Sequence, residues 1–383
     1  MFNQKHTEYF KSHETPFYFY DTQLLKETLS ALKKSIPENY IIHYALKANP
    51  HPTILKLIKH AGLGADCVSG NEVKRALECG FKNTEIVFAG VGKSDKEINF
   101  AIDQSIFCFN VESLQELIVI NELAKQKNCI TNIAIRINPS VDAYTHKYIT
   151  TGLEENKFGI NPHEFNNLIE LLKTLKHIKF KGLHFHIGSQ IQNLSAFKEL
   201  CTRVNEINQW FIQKELEAEH LNLGGGLGIN YKEPDNEAIV NFEKYFFVFK
   251  TFLKHLPQQK IHFELGRSIV ASCGSLISRV LYLKKGINTD FLILDAGMTE
   301  LLRPALYQAY HKIENISKLN DPFEKKYDVV GPICESSDCF GKSVELPETD
   351  RGDLIAIRSA GAYGEVMSSR YNLRDQIDSV FMD

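Results

Sequence analysis

The sequence predicts an α/β protein: a TIM-type (β/α)8 barrel with a second, mainly β domain after it. Between residues 24 and 270, short β-branched or aromatic runs alternate with amphipathic helical segments, as in a parallel sheet with crossover helices. Eight such runs can be counted, which is the strand number of this barrel. After about residue 271 the chain changes to short apolar runs separated by Gly, Pro and Asp, which indicates β structure.

The predicted barrel strands follow one another along the chain. They are HYALKA from His43, GADCV from Gly64, EIVFAG from Glu85, IFCFNV from Ile106, NIAIRINP from Asn132, GLHFHIGS from Gly182, HLNLGGG from His220 and IHFELG from Ile261. Leu25, Leu29 and Leu32 recur at helical spacing ahead of the first strand. The stretches SDKE at Ser94 and SLQE at Ser113 predict capping boxes that begin two later helices.

The opening segment TPFYFYDT, residues 15–22, is also strand-like and precedes the first helix. We therefore expect it to pair with the later β domain. The predicted division is a cofactor-binding barrel over residues 24–270 and a β-sandwich or β-barrel-like domain made from residues 1–23 and 271–383.

Composition narrows the classes of partner. The 383 residues are 43% hydrophobic, and a formal net charge of −3 with scattered Lys and Arg excludes a field that would recruit nucleic acid or an anionic membrane. No apolar run approaches the ~18 residues of a membrane span, and the polar opening does not resemble a secretory signal. The eight cysteines form no CxxC pair, so we expect buried thiols in a reducing, cytoplasmic compartment.

Polar and glycine residues fall where the predicted strands end. In a TIM barrel, the chemistry lies at the C-terminal ends of the strands. The residues at these ends are Lys47, Asp66, Arg136, His186, Gly224, Gly225, Gly226 and Glu264. We therefore expect them to converge on one mouth of the barrel.

Lys47 lies in the apolar stretch HYALKANP, where a charged amine would lose its hydration. Forming an imine with an aldehyde removes much of that cost, so Lys47 is a candidate for a Schiff base. Position alone favours the other reading, a solvated lysine at a strand end, because most lysines are exposed.

The run LGGGLG, residues 223–228, follows a predicted strand. Its backbone N–H groups could close around a phosphate. A tight structural turn explains the glycines equally well, and the run matches neither the dinucleotide nor the P-loop fingerprint.

Two further positions favour a flat ring as the ligand. His184 and His186 alternate in HFHIGSQ and so face one side of the strand, where an imidazole could stack on a flat ring. A zinc site is the weaker interpretation of this pair, because no third ligand is spaced to complete it. Glu264, in the apolar strand FELGRS, needs a partner. The candidates are a protonated pyridine nitrogen and a salt bridge to Arg267 or Arg136.

Taken together, these residues resemble the fold-type III pyridoxal-phosphate-dependent decarboxylases. The resemblance runs from about residue 15 to 367 and rests on the ordered stretches YALKAN, GADCVSGNE, KFGI, HFHIGSQI, GGGLGI, ELGRS, RPALYQAYH, GPICESSD and SAGAYGEVMSS. It implies an alanine-racemase-like barrel with a β domain, a carboxy-lyase activity, pyridoxal 5'-phosphate as cofactor and no metal. One departure is Leu265, where the family commonly has a proline that pre-sets the backbone before Gly266.

The resemblance implies roles for the residues at the barrel mouth. Lys47 would carry the Schiff base, His186 would stack on the ring and Glu264 would hold the ring nitrogen. The phosphate ligands would be Ser189, Gly226 and Gly266. The full implied cofactor-binding set is Lys47, Asp66, Arg136, His186, Ser189, Gly224, Gly225, Gly226, Glu264, Gly266, Arg267 and Tyr363.

The far end of the substrate separates the members of this family. Diaminopimelate ends in a second amino-acid head, which needs a guanidinium fork for its carboxylate and an acid for its ammonium. The implied substrate-binding residues are Arg267, Arg303 and Tyr307 for that carboxylate, Glu335 for the ammonium, and Tyr363. We therefore expect decarboxylation of meso-2,6-diaminopimelate to L-lysine, the last step of lysine biosynthesis. The alternatives are a carboxynorspermidine decarboxylase or another basic amino-acid decarboxylase, a racemase, and an inactive regulatory relative.

Cys334 is implied to be the proton donor, although the sequence alone favours a small buried residue there. The implied catalytic set is Lys47, His186, Glu264 and Cys334. The resemblance also implies that Cys334 and Glu335 reach the site from a neighbouring subunit. The expected partner is therefore a second copy of the chain, in a homodimer with shared active sites.

Overall fold

The structure is a computed structural model that describes residues 2–141 and 157–383. The chain divides into two compact units. The barrel unit comprises Leu29–Gly228 and Asn241–Gly266, and the β unit comprises Met1–Thr28, Ile229–Val240 and Arg267–Asp383. The grouping of residues 229–240 with the β unit was not expected from the sequence, and domain boundaries at residues 24 and 270 stay a prediction.

Eight parallel strands close into a barrel, which confirms the predicted fold class. Strands are numbered along the chain, and the first, β1 (Phe17–Asp21), belongs to the β unit. The barrel strands are β2 Tyr40–Ala45, β3 Gly64–Cys67, β4 Ile86–Phe88, β5 Cys108–Val111, β6 Thr131–Ile137, β7 Ile178–Phe185, β8 His220–Asn222 and β9 Lys260–Leu265. β2 pairs in parallel with β3 and with β9, which closes the ring. Strands β3 and β5 are buried throughout, as expected of parallel strands that are covered on both faces.

Helices precede and connect these strands, after a first helix, α1 (Gln4–Lys11), in the β unit. They are α2 Thr22–Ser35, α3 Pro52–His60, α4 Gly70–Glu78, α5 Asp95–Asp103, α6 Leu114–Gln126, α7 Phe165–Thr174, α8 Ser195–Gln213 and α9 Phe242–Phe252. The capping box predicted at Ser94 is present, with Glu97 as its second member. Ser113 also caps its helix, but Glu116 binds the backbone N–H of Glu112 instead of closing the box. None of the helices in the described residues is both long and apolar enough to cross a membrane.

The β unit contains the remaining elements. They are α10 Arg267–Val270, β10 Gly274–Lys285, β11 Asp290–Leu294, α11 Arg303–Tyr307, β12 Ile313–Asn315, β13 Lys325–Val330, β14 Cys339–Leu346, β15 Leu354–Ile357 and β16 Ser379–Met382. β1 pairs antiparallel with β10 and parallel with β16, which confirms that the opening segment joins the later β structure. A core cluster that includes Phe10, Phe17 and Phe19 packs beside Ile277 and Leu354. These aromatic rings explain why β1 is an apolar run ahead of the barrel.

Three histidines for which the sequence predicted no role pack inside the barrel. His43 Nε2 lies 2.9 Å from His262 Nδ1, and the rings of His262 and His220 stack with centroids 4.8 Å apart. Burial lowers the pKa of all three imidazoles, and that of His220 falls to about 3. The rings are therefore neutral near pH 7, and a neutral polar ring costs far less to bury than a charged one.

Candidate active site

Lys47 lies in the short helical turn Leu46–Ala48, which directly follows β2. Its Nζ donates a hydrogen bond of 2.9 Å to Oδ2 of Asp66, whose side chain is fully buried in β3. Burial and the charge of Glu264 raise the pKa of Asp66 to about 6 despite the nearby amine. This pairing with a buried acid argues against the solvated surface lysine that position alone favours.

Glu264, in β9, accepts three hydrogen bonds inside the barrel. Nδ2 of Asn110 and Nδ2 of Asn222 donate to Oε1 at 3.1 and 2.7 Å, and Nε2 of His184 donates to Oε2 at 3.0 Å. All four side chains are buried. An ionised carboxylate offers about four acceptor positions, so these donors leave room for one more.

The surroundings of Glu264 keep its carboxylate ionised. Burial alone would raise its pKa, but the charge and hydrogen bond of His184, together with the charge of Lys47, outweigh burial and hold the pKa below its usual value. An ionised acid with one acceptor position left fits the protonated ring nitrogen of a pyridine. The residues present therefore suit the ring of pyridoxal 5'-phosphate.

His186 follows β7 and accepts the backbone N–H of Gly225 at Nδ1, over 3.2 Å. Since Nδ1 is the acceptor, the neutral imidazole carries its proton on Nε2. Burial and the positive charges of Arg136 and Lys47 hold the pKa of His186 well below its usual value. The ring is therefore neutral, flat and fixed in orientation, which suits stacking on another ring.

The glycine run after β8 leaves no room for side chains. A Cβ on Gly225 would lie 1.9 Å from the carbonyl oxygen of Glu264, and a Cβ on Gly226 would lie 2.6 Å from that of Gly188. Gly226 also has a φ of +103°, which L side chains rarely adopt. A bare backbone turn of this kind fits a phosphate, although a tight turn needs the same glycines.

The loop that carries Ser189 runs beside this turn. The N–H of Ile191 donates to the carbonyl oxygen of Gly226 at 2.8 Å. Gly266 directly follows β9, where a Cβ would lie 3.0 Å from that of Ala48. Leu265, the departure from the family pattern, is fully buried as the last residue of β9.

Arg136, in β6, is held by an acid that the sequence did not indicate. Its Nη1 donates to Oε1 of Glu112 at 2.7 Å, and both side chains are buried. Glu112 also accepts the backbone N–H groups of Gly90 and Gly159, at 3.0 and 3.1 Å. The salt bridge considered between Arg136 and Glu264 is therefore wrong, because Glu112 takes this guanidinium. Glu112 thus links β5 to β6 through the ion pair and to the residues after β4 through the N–H of Gly90.

In the β unit, Arg267 and Arg303 meet on one tyrosine. Both arginines are buried, and their Nη1 atoms donate to Oη of Tyr231 at 2.6 and 3.0 Å. Burial would raise the pKa of Tyr231, but the two guanidiniums outweigh burial and lower it. Tyr307 ends α11 nearby in the chain and is half-buried. Two guanidiniums that converge on one oxygen form a site suited to a carboxylate.

Tyr363 has a strained backbone beside this pair. Its φ is +57°, in the left-handed region, and its ring lies 4.8 Å from Cζ of Arg267. Such a conformation costs of the order of 1–3 kcal/mol for a bulky residue, so the surrounding structure must hold it in place. Hydrogen bonds from the N–H groups of Ala360 and Gly361 to residues 274 and 271 hold the preceding turn in place.

Cys334 and Glu335 lie on the surface of the β unit. Cys334 is exposed, so the reading of a small buried residue is wrong. Its N–H donates to Oδ1 of Asn372 at 3.3 Å, and Oη of Tyr371 donates to Oε1 of Glu335 at 2.8 Å. Buried Asp338 closes the loop by accepting the backbone N–H of Ile333 at 2.7 Å. The loop therefore holds a thiol and a carboxylate out toward solvent.

Sequence reasoning missed several of the side chains that build these clusters. They are Asn110, Glu112, Asn222, Tyr231 and His311. A signal was present for Asn222, which alternates with His220 along one strand and so faces the interior. Tyr231 lies in the segment assigned to the β unit, a placement that no local pattern reveals.

Comparisons with known proteins agree with this chemistry. Residues 22–271 match the family described as pyridoxal-dependent decarboxylase, pyridoxal binding domain. The diaminopimelate decarboxylase of Bacteroides thetaiotaomicron is 55% identical over 368 residues, which cover 96% of this chain and 95% of that protein. The crystal structure of Helicobacter pylori diaminopimelate decarboxylase complexed with L-lysine is similar with a TM-score of 0.92 at 42% identity, over 99% of this chain and 94% of that one. The crystal structure of diaminopimelate decarboxylase from M. jannaschii, in co-complex with L-lysine, has a TM-score of 0.89 at 34% identity, over 98% and 89%.

Proposed function

Because the chain belongs to the pyridoxal-dependent decarboxylase family, we propose that it converts meso-2,6-diaminopimelate to L-lysine and carbon dioxide. The observation that carries this proposal is the pair of buried arginines, Arg267 and Arg303, which converge on one oxygen in the β unit. A substrate that ends in an amine alone would bring a further positive charge to two guanidiniums, which is unfavourable. A substrate with a second carboxylate brings a charge of the opposite sign.

The cofactor, pyridoxal 5'-phosphate, supplies an electron sink for the pair of electrons left when carbon dioxide departs. Lys47 would hold its aldehyde carbon, with Asp66 keeping the amine in place. Glu264 would hold the ring nitrogen protonated, and His186 would lie against the ring. The remaining residues proposed to hold the cofactor are Arg136, Ser189, Gly224, Gly225, Gly226, Gly266, Arg267 and Tyr363.

The chain's own residues bind and protonate the substrate. Arg267, Arg303 and Tyr307 would bind the distal carboxylate, Glu335 would bind the distal ammonium, and Tyr363 would line the same site. Carbon dioxide leaves from the other end. Cys334 would then deliver the proton from Sγ to the α-carbon that lost its carboxylate. The product retains the distal amino-acid head, so the same arginines would also bind L-lysine.

We further propose a homodimer in which Cys334 and Glu335 serve the partner's site. Both residues are exposed on the single chain, beside Leu373, which is 94% exposed. Functional groups that lie at the surface of one chain are accessible to a second copy in a symmetric dimer. A cytoplasmic location is proposed as well, since all eight cysteines are free thiols and a reducing compartment preserves them.

The activity is tested with purified protein and a panel of meso-diaminopimelate, L-lysine, ornithine, arginine and carboxynorspermidine. Carbon dioxide release and L-lysine formation are expected with the first substrate only. Borohydride reduction of the holoenzyme, followed by peptide mapping, should label Lys47. A preference for a substrate that lacks the distal carboxylate would overturn the proposal.

The shared site is tested by mixing two inactive chains, Lys47→Ala and Cys334→Ala. If the sites are shared, some mixed dimers contain one intact site, and part of the activity returns. If each chain is complete by itself, mixing restores nothing.

A further inference from the structure

Two acceptors hold Arg303 in the β unit, the phenol of Tyr231 and the imidazole of His311. Neither group carries a formal negative charge in its neutral form. The side chain of Arg303 is 5% exposed at the start of α11. Its Nη1 donates to Oη of Tyr231 at 3.0 Å and to Nε2 of His311 at 2.8 Å. Among the described residues, no carboxylate forms an ion pair with Arg303. A buried guanidinium held in this way keeps its charge uncompensated.

The hydrogen bonds of His311 fix its tautomer. Its Nδ1 lies 2.8 Å from the carbonyl oxygen of Arg358. A carbonyl can only accept, so Nδ1 carries the proton and Nε2 presents a lone pair to Arg303. Burial and the charge of Arg303 lower the pKa of His311 to about 3. His311 is therefore a neutral acceptor at any pH near neutrality.

A neighbouring arginine in the same unit shows the opposite arrangement. Arg358 is 8% exposed, and its guanidinium donates to Asp235 at 2.8 Å and to Glu314 at 2.6 Å. Two carboxylates thus compensate one arginine that has no proposed ligand. The β unit has acids available as partners for buried arginines, yet Arg303 is oriented by a phenol and an imidazole.

We propose that His311 and Tyr231 are positioning residues that set the specificity of the distal site, because they orient Arg303 without neutralising its charge. This inference rests on the proposed function, in which Arg303 binds the distal carboxylate. Tyr231 also receives Nη1 of Arg267 at 2.6 Å, so its oxygen fixes the spacing of the two guanidiniums. A carboxylate that arrives at this pair meets two positive charges whose geometry is already set.

The test compares His311→Gln with His311→Glu in the holoenzyme. The two side chains have nearly the same shape and both can accept from Arg303, but only Glu brings a negative charge. The KM for meso-diaminopimelate is expected to be about tenfold or more higher in the Glu variant than in the Gln variant, since an acid on Arg303 competes with the substrate carboxylate. The Glu variant should nevertheless have a thermal midpoint at least as high as that of the Gln variant, because its carboxylate pairs with the buried guanidinium.

Binding of L-lysine to both variants, measured by calorimetry, gives a second measure that does not require turnover. L-lysine keeps the distal carboxylate, so its Kd should follow the same order as the KM. Equal KM and Kd values in the two variants would overturn the inference, because His311 would then act through packing alone. If the unmodified enzyme fails to decarboxylate diaminopimelate but the two variants still differ in L-lysine binding, the proposed function fails and the role of His311 stands.

Discussion

Two buried charged groups, Glu264 in the barrel unit and Arg303 in the β unit, are stabilised in opposite ways. Glu264 receives three donors, from Asn110, His184 and Asn222, which leave about one acceptor position on an ionised carboxylate. Arg303 is held by acceptors without formal charge and keeps its positive charge uncompensated. Both arrangements favour a ligand of opposite charge, which in the proposed function is a protonated ring nitrogen for the acid and a carboxylate for the guanidinium.

The largest effect is expected at the acid. Glu264→Gln keeps the size of the side chain and removes its charge, so the ring nitrogen would lose the group that holds its proton. Removal of a preorganised electrostatic group typically lowers kcat on the order of 10²–10³-fold, and a loss of this size is expected in steady-state kinetics with diaminopimelate. Glu97→Gln, in the capping box of α5, is the control for removing a carboxylate elsewhere. An unchanged kcat in the Glu264 variant would show that the charge of this carboxylate does not serve the ring nitrogen.

The second effect concerns the arginine. Arg303→Lys keeps a positive charge but loses the planar fork that binds a carboxylate through two N–H groups. Charge-assisted hydrogen bonds contribute about 1.5–3 kcal/mol, so kcat/KM for diaminopimelate should fall roughly 10- to 100-fold. The loss should appear mainly in KM, since Arg303 would bind an end of the substrate that does not react.

The matched control is Arg279→Lys, an arginine of the same unit that donates to the carbonyl oxygen of Gly352. Among the described residues, its side chain donates to Thr15 and Gly352 and to no candidate site residue, so KM should not change. Equal losses of kcat/KM in both variants would show that Arg303 supports the fold of the unit and not the substrate.

The two clusters also differ in how far the sequence predicted them. Glu264 could be found because a lone carboxylate in an apolar barrel strand needs a partner, and the strand count placed it at the mouth. Its donors Asn110 and Asn222 were not predicted, because an asparagine at the end of a strand is equally typical of the start of a turn. The eight strands, and the pairing of residues 15–22 with the later β structure, followed from apolar patterning alone.

The cluster around Arg303 could not be derived in the same way. Tyr231 and Arg303 lie far apart in sequence, and no period or motif relates them before the chain folds. Only the resemblance to a family assigned a role to Arg303. His311 ends the quoted stretch RPALYQAYH but received no role there, and no pattern indicated Tyr231. Cys334 shows the same limit: its residue type favours burial, yet the loop closed by Asp338 leaves it exposed.

The third effect concerns the loss of folding stability at low pH, which we expect to arise partly from the buried histidines of the barrel unit. The pKa of His220 is lowered to about 3 by burial, while an unfolded chain titrates at about 6.5. Below pH 6.5 the unfolded state binds a proton at His220 that the folded state does not. The contribution of this residue to the free energy of unfolding is therefore fully present above pH 6.5 and is lost progressively as the pH falls toward 3. Each such proton contributes a slope of ~1.4 kcal/mol per pH unit.

His220→Leu should therefore reduce the loss of stability of the holoenzyme between pH 7 and pH 5, measured as the shift of its urea midpoint. His60→Leu is the control, because His60 is exposed at the end of α3. If the two variants and the unmodified protein lose stability in parallel, the acid sensitivity has its origin outside the histidine cluster.

The smallest effect is expected at a helix cap that belongs to neither cluster. Oγ of Ser94 accepts the N–H of Glu97, and Glu97 binds the N–H of Ser94 in return, so Ser94→Ala leaves the first turn of α5 with an unsatisfied donor. Loss of such a cap costs about 0.5–2 kcal/mol, which a thermal scan of the holoenzyme resolves. The kcat and KM should stay as in the unmodified enzyme, because no charge near Glu264 or Arg303 changes. A drop in kcat here would mean that general loosening of the chain lowers activity, and the larger losses at Glu264 and Arg303 could then no longer be assigned to their charges.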